Sequence, residues 1–297
     1  VSLDQNNIII PALNSAYTGN EKVIEEETLF LHRFTNFGSL GFKHKFSEKW
    51  DSKISLDGRF NLNKETKDEV WGKGLYDLKD IGISASVSRN IFKNKQSYPI
   101  TFGVKYYQRK YPNYVSLGSQ SSNPILQGVE KNVKDFNGVN ISISDKFLVS
   151  DRLYWEAYYN LLLKNYTDSF LRTSQGVIDA GNKRKDMVDY LDAGVIYVLD
   201  QKNELPVDAG LTFYKSNGNY YDQDQNYFVD DFYGYLSFYV QPGYSFMLFQ
   251  NTNIRVVYNF LYRGYTGRKV QDKLGVYDDN KNQHDFENAV GVTAKHP

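Results

Sequence analysis

The 297-residue chain balances Lys+Arg 35 against Asp+Glu 35, so no overall field draws it to nucleic acid or to anionic lipid. Cys is 0, which excludes disulfide frameworks, thiolate metal sites and thiol nucleophiles. Tyr 25 and Phe 19 accompany a mean hydropathy of -0.56, and no run reaches the ~18 consecutive apolar residues of a membrane-spanning helix.

The N-terminal Val1-Ser2-Leu3-Asp4 lacks the basic and apolar regions of a signal peptide, which is compatible with a leader already removed. Residues 2–10 are a candidate first strand and 13–27 a first long connection, unless 28–46 holds two strands. From Trp50 the alternation is plain. Trp50, Ile54, Leu56, Phe60 and Leu62 share one parity, while Asp51, Lys53, Asp57, Arg59 and Asn61 share the other, which is strand periodicity. It recurs through Ile81–Ile91, Ile100–Tyr106, Val139–Ile143, Leu153–Leu163, Leu191–Leu199, Val207–Phe213, Phe232–Leu248, Ile254–Tyr262 and Phe286–Ala294. No useful window keeps helical apolar spacing.

The connections alternate in length. Tight ones fall at 47–49, 93–97, 150–151, 200–204 and 249–251, and long polar ones at 64–79, 112–136, 166–186, 217–231 and 266–284. Short turns on one side and long loops on the other, between strands longer than soluble sheets use, predict an all-β, antiparallel, transmembrane outer-membrane β-barrel. The expected count is 12 strands, or 14, with 1–27 as first strand or plug and 28–297 as the barrel. Tyr and Phe near strand ends suit interfacial girdles.

Chemistry-bearing residues are few. His32 and His44 share parity with Phe30, Phe34, Phe42 and Phe46 and are expected to face lipid or the interface. His284-Asp285, at a loop-to-strand junction, has the residue types of a hydrolase pair, against the plainer reading of a solvated dipeptide. Asp222, Asp224 and Asn226 have the every-other spacing of a calcium loop, but Tyr227 and Tyr233 stand where the turn glycine and bidentate acid belong. The parity puts Lys53, Asp57, Arg59, Lys105, Arg109, Arg152 and Glu156 toward the lumen, with tyrosines such as Tyr107, Tyr158 and Tyr239 narrowing it. These charges fit either a filled interior or a polar channel. No catalytic residue, cofactor or metal site is assigned.

The N-terminal run Pro11-Ala12-Leu13-Asn14-Ser15-Ala16-Tyr17-Thr18-Gly19 resembles the Asn-Pro-Ala-Tyr-Ala-Gly signature of PorP/SprF-type outer-membrane proteins of Bacteroidota. His32-Arg33-Phe34-Thr35-Asn36-Phe37 occupies the place of that family's next strand motif, and Leu191–Tyr197 with Asp208–Leu211 is similar to its later Gly-rich hairpin. The resemblance implies a non-enzymatic barrel, set in outer-membrane lipid, that binds or anchors a large secreted surface protein, or secretion-system components, in type IX secretion and gliding. Tyr220, Tyr221, Tyr227 and Phe228, in a long loop, have the aromatic content of such a protein-binding surface. The alternative is a porin for small polar solutes or oligosaccharides.

Overall fold

The computed structural model describes residues 2–24, 27–93, 96–115, 132–222, 227–248, 251–272 and 276–296. Among these there is no helix. The strands are β1 (Asn7–Ile24), β2 (Glu27–Lys45), β3 (Trp50–Lys64), β4 (Leu78–Lys93), β5 (Gln96–Lys110), β6 (Phe136–Ser150), β7 (Leu153–Arg172), β8 (Ile178–Val198), β9 (Asn203–Ser216), β10 (Tyr220–Asp222), β11 (Tyr227–Val229), β12 (Tyr235–Leu248), β13 (Thr252–Gln271) and β14 (Tyr277–Lys295). Twelve of them form one sheet in chain order, from β1 to β9 and on through β12, β13 and β14, while β10 and β11 pair only with each other. The chain is therefore all-β, a twelve-stranded meander with antiparallel pairing at β1–β2, β2–β3, β8–β9, β9–β12, β12–β13 and β13–β14.

Two compact units divide the residues. The first comprises Val1–Val87, Gly103–Asn140 and Leu163–Lys185, and the second Ser88–Phe102, Ile141–Leu162 and Asp186–Pro297.

The usual distribution of side chains is inverted. Among the described residues the buried hydrophobic side chains are only Tyr98, Phe136, Leu148, Phe228 and Tyr265, whereas eight polar or charged residues are buried. The large apolar residues lie outside: Leu56 is 58% exposed, Ile81 68%, Phe102 49% and Val290 71%. They belong to the apolar parity of their strands, so the alternation read from the sequence sorts an exposed apolar face from a polar one. Such a surface far exceeds the apolar patches that soluble monomers leave to water.

The tight connections at 46–49, 151–152 and 199–202 fall where the sequence puts them, and the long one at 65–77 separates β3 from β4, while 94–95, 249–250 and most of the long stretch 112–136 lie outside the described residues. Three others are corrected. The stretches 13–27, 166–186 and 266–284 are largely strand: β1 runs to Ile24, β7 and β8 have 20 and 21 residues, and β13 and β14 have 20 and 19. Most of their residues are polar, and apolar ones such as Leu13, Phe170 and Val270 are too scattered to show an alternation, but they pair all the same. Arg184 packs over the Tyr166 ring at 4.7 Å and Lys183 over Phe170 at 5.0 Å. The β7–β8 turn is set by Gly176, whose φ of 84° only glycine adopts cheaply. Its N–H donates to the Thr173 carbonyl at 2.8 Å while Thr173 N–H donates to the Val177 carbonyl at 2.9 Å. At ~3.3 Å per residue, strands of 20 residues overrun a ~30 Å hydrocarbon core even when tilted.

Candidate functional site

The polar face of the first unit gathers charge in one pocket of about 260 Å³, lined by Phe37, Asp57, Arg59, Asp80, Lys105, Tyr107, Arg109 and Asn140. The strand period explains the assembly: Asp57 and Arg59 alternate with Leu56 and Phe60 on β3, and Lys105, Tyr107 and Arg109 with Val104 and Tyr106 on β5. Asp80, opposite in parity to Ile81 at the start of β4, is the hub. Arg59 donates to its carboxylate from Nε at 3.1 Å and Nη2 at 2.6 Å, and Arg109 from Nε at 2.7 Å and Nη2 at 2.9 Å. Lys105 Nζ donates to Asp57 at 2.6 Å. Tyr107 lies in a slot between glycines on neighbouring strands: a Cβ on Gly82 would meet Tyr107 Cβ at 2.9 Å, and one on Gly138 would meet its ring at 2.6 Å. The same ring has Lys105 Nζ at 5.7 Å and the Arg109 guanidinium at 5.9 Å.

In the second unit the polar face is more acidic. Lys146 pairs with Glu156 at 3.3 Å and Arg255 with Asp208 at 3.3 Å, and Asp192 accepts from Tyr190 at 3.0 Å and from Tyr239. Glu156, Tyr158 and Asp192 line a second pocket of about 260 Å³.

Of the residues expected on the polar face, Arg59, Lys105 and Arg109 converge, Glu156 joins the second unit's face, and Lys53 is half-buried on β3 opposite Lys43. Arg152 does not belong with them. It sits exposed in the turn between β6 and β7, where its carbonyl accepts from Val198 N–H at 2.7 Å. Asp80 is not evident from the sequence alone because the polar run before it reads as loop to residue 79; its alternation with Ile81 is the available signal. Asp192 alternates with Leu191 in the same way.

At the ends of the strands, loop residues are packed rather than loose. Asp77, 2% exposed, accepts from Asn63 N–H at 2.7 Å and from Asn113 Nδ2 at 3.1 Å. Burial pushes its carboxyl above the ordinary carboxylate value, outweighing these hydrogen bonds, and burial does the same to Asp135. Lys134 Nζ lies 4.3 Å from the Tyr76 and Tyr114 ring centroids, and burial lowers its pKa while the ring faces favour the cation.

The aromatic loop is also built. Tyr220, 39% exposed, stacks on Phe232 at 4.1 Å, and Tyr221 tilts against Phe228 at 5.2 Å. Phe228 is 9% exposed, which takes it out of a solvent-facing surface. Tyr227 is on β11, its side chain outside the described ones; Asp224 and Asn226 of the calcium-like spacing lie outside the described residues, as does the Asp222 side chain. No group of potential metal ligands occurs among the described residues. His284 and Asp285 are separated by the strand period: His284 Nδ1 lies 2.7 Å from the Tyr262 hydroxyl, while Asp285 accepts from Tyr265 at 2.9 Å. Successive side chains on β14 point to opposite faces, so the two cannot act as one catalytic pair. His44, on the apolar parity as expected, bonds Asn7 at 2.7 Å, and His32 bonds Tyr17.

Neither a protein-family profile nor a curated protein matches the sequence. Solved structures similar to this chain include a NanC porin, at 12% identity and a TM-score of 0.33, covering 96% of this chain and 98% of the other. An outer membrane channel from Pseudomonas putida F1 gives 9% and 0.39, covering 99% and 97%. OmpT, an outer membrane protein of Vibrio cholerae in trimer form, gives 8% and 0.38, covering 98% and 99%. Superpositions this loose assign no activity.

Proposed function

We propose that this protein is a non-enzymatic outer-membrane β-barrel that passes small polar solutes. The observation that carries the reading is the two-faced strand: Leu56, Phe60 and Phe102 are exposed on one side, and Asp57, Arg59, Asp80, Lys105 and Arg109 line a wet pocket on the other. Exposed apolar side chains along strand after strand suit lipid, and charges that remain half-exposed after pairing suit a hydrated path. Backbone groups at an open sheet edge go unsatisfied in hydrocarbon, which is the physical reason that membrane strands are used in closed barrels. The test is conductance of the purified protein in a planar bilayer. Stepwise ohmic channels are expected; a silent bilayer containing inserted protein would overturn the reading.

A second reading, favoured by the exposed Tyr220 stacked on Phe232, is that the loop surface anchors a large secreted protein, as the PorP/SprF resemblance implies. Detergent purification from the native cell with mass spectrometry tests it. A stoichiometric surface protein that is lost on Tyr220→Ala supports anchoring, and a lone barrel counts against it.

A further inference from the structure

The pocket between β3, β4 and β5 has a charge imbalance that ion pairing does not remove. Three cations, Arg59, Lys105 and Arg109, face two carboxylates, Asp57 and Asp80. Asp80 takes the Nε and Nη2 donors of both arginines, so among the described residues neither Nη1 group has a partner. A guanidinium offers five N–H donors in a fixed plane, and a carboxylate that occupies one edge of each leaves the other edge available to a second anion. The side chains of Arg59 and Lys105 are each 37% exposed and that of Arg109 24%, so a solute can reach them without displacing protein.

We propose that this pocket is a subsite for the carboxylate of a small hydroxylated monoanion, of the sugar-acid class. The net excess of one positive charge matches one negative charge on the solute. Tyr107, held in its glycine slot, gives the pocket an aromatic face beside the guanidinium, which suits the ring of a sugar better than a bare inorganic ion. The volume of about 260 Å³ lies below the ~300–1,000 Å³ of pockets for drug-sized ligands, which limits the occupant to roughly monosaccharide size. Asp80 acts as a positioning residue: it holds two guanidiniums side by side that would otherwise repel. The proposal deepens the solute-channel reading and rests on it for its biological meaning, though the binding itself does not.

The experiment uses the full chain in detergent, with glucuronate as probe and glucose as the uncharged control, followed by ligand-observed NMR and by block of bilayer conductance. Glucuronate is expected to bind and glucose not. Arg109→Gln should weaken glucuronate by about tenfold or more, the loss of one charge-assisted hydrogen bond. Asp57→Asn should tighten it, because Lys105 loses its partner. Opposite effects of two charge changes in one pocket cannot come from misfolding, and a heat-dependent gel shift checks that each variant is folded. Equal binding of glucose and glucuronate, or glucuronate binding unmoved by both substitutions, would overturn the subsite. Conductance without glucuronate binding would also overturn it and leave the channel standing; binding without conductance would uphold the subsite and sink the channel.

Discussion

Tyr107 occupies its place only because Gly82 and Gly138 carry no side chain. Gly138→Val should therefore cost about 1–3 kcal/mol through overpacking, read as a lower urea midpoint for unfolding from lipid vesicles. Adding Tyr107→Ala should recover part of that loss, because contacting residues are not additive; full additivity would mean the ring is not seated there. Protonation gives a second handle at this scale. Burial raises the folded-state pKa of Asp77 and of Asp135 above the ordinary 3.8, so the folded loops bind protons that the unfolded chain releases. The contribution of these two carboxyls to stability is then greatest in acid and falls as pH rises through the window that opens at 3.8 and ends at the raised value. Hydrogen exchange of the 65–77 loop, corrected for intrinsic rate, should show less protection at pH 7 than at pH 4, and Asp77→Asn should flatten its share of the change. Protection that grows with pH would mean the hydrogen bonds from Asn63 and Asn113 outweigh burial.

Along each element, period two decides the solvent of every residue. Phe102 lies in the middle of β5's apolar run, and its neighbour Thr101, on the other face, bonds Ser88 at 2.9 Å. Phe102→Arg near the bilayer midplane should cost about 2–4 kcal/mol, while Thr101→Arg should cost well under half of that in the same vesicle unfolding assay. Equal costs would show that both faces meet the same medium and would remove the membrane from the account. This alternation was legible in the sequence because hydrophobic and polar residues take turns wherever one face is apolar. It stopped being legible where both faces are wet: Tyr166, Phe170, Lys183 and Arg184 pair across β7 and β8 through ring-cation contacts, which no hydropathy pattern encodes. Asp80 was missed for a related reason, since its role comes from two arginines 21 and 29 residues away and not from its neighbours. The lipid-facing half of the fold is thus written locally, and the polar pocket is written in cross-strand partners.

At the scale of the molecule, the strand order begins at β1 and ends at β14, strands of 18 and 19 residues. A row of unpaired N–H and C=O groups on so long an edge costs several kcal/mol per group in hydrocarbon and invites aggregation in water. On the barrel reading proposed above, covering both edges answers both problems and makes the sheet one cooperative unit, because opening any seam exposes a full edge. The expected consequence is resistance to SDS: unheated protein should migrate apart from the boiled form on a gel, with a single step between the two on heating. Removing residues 277–295 takes away the partner of β13, including the Tyr262–Phe286 ring contact at 5.1 Å, and should abolish that resistance altogether rather than lower it by a fraction. A truncated chain that still resists SDS would show that the edge needs no cover, and with it the membrane barrel would fall.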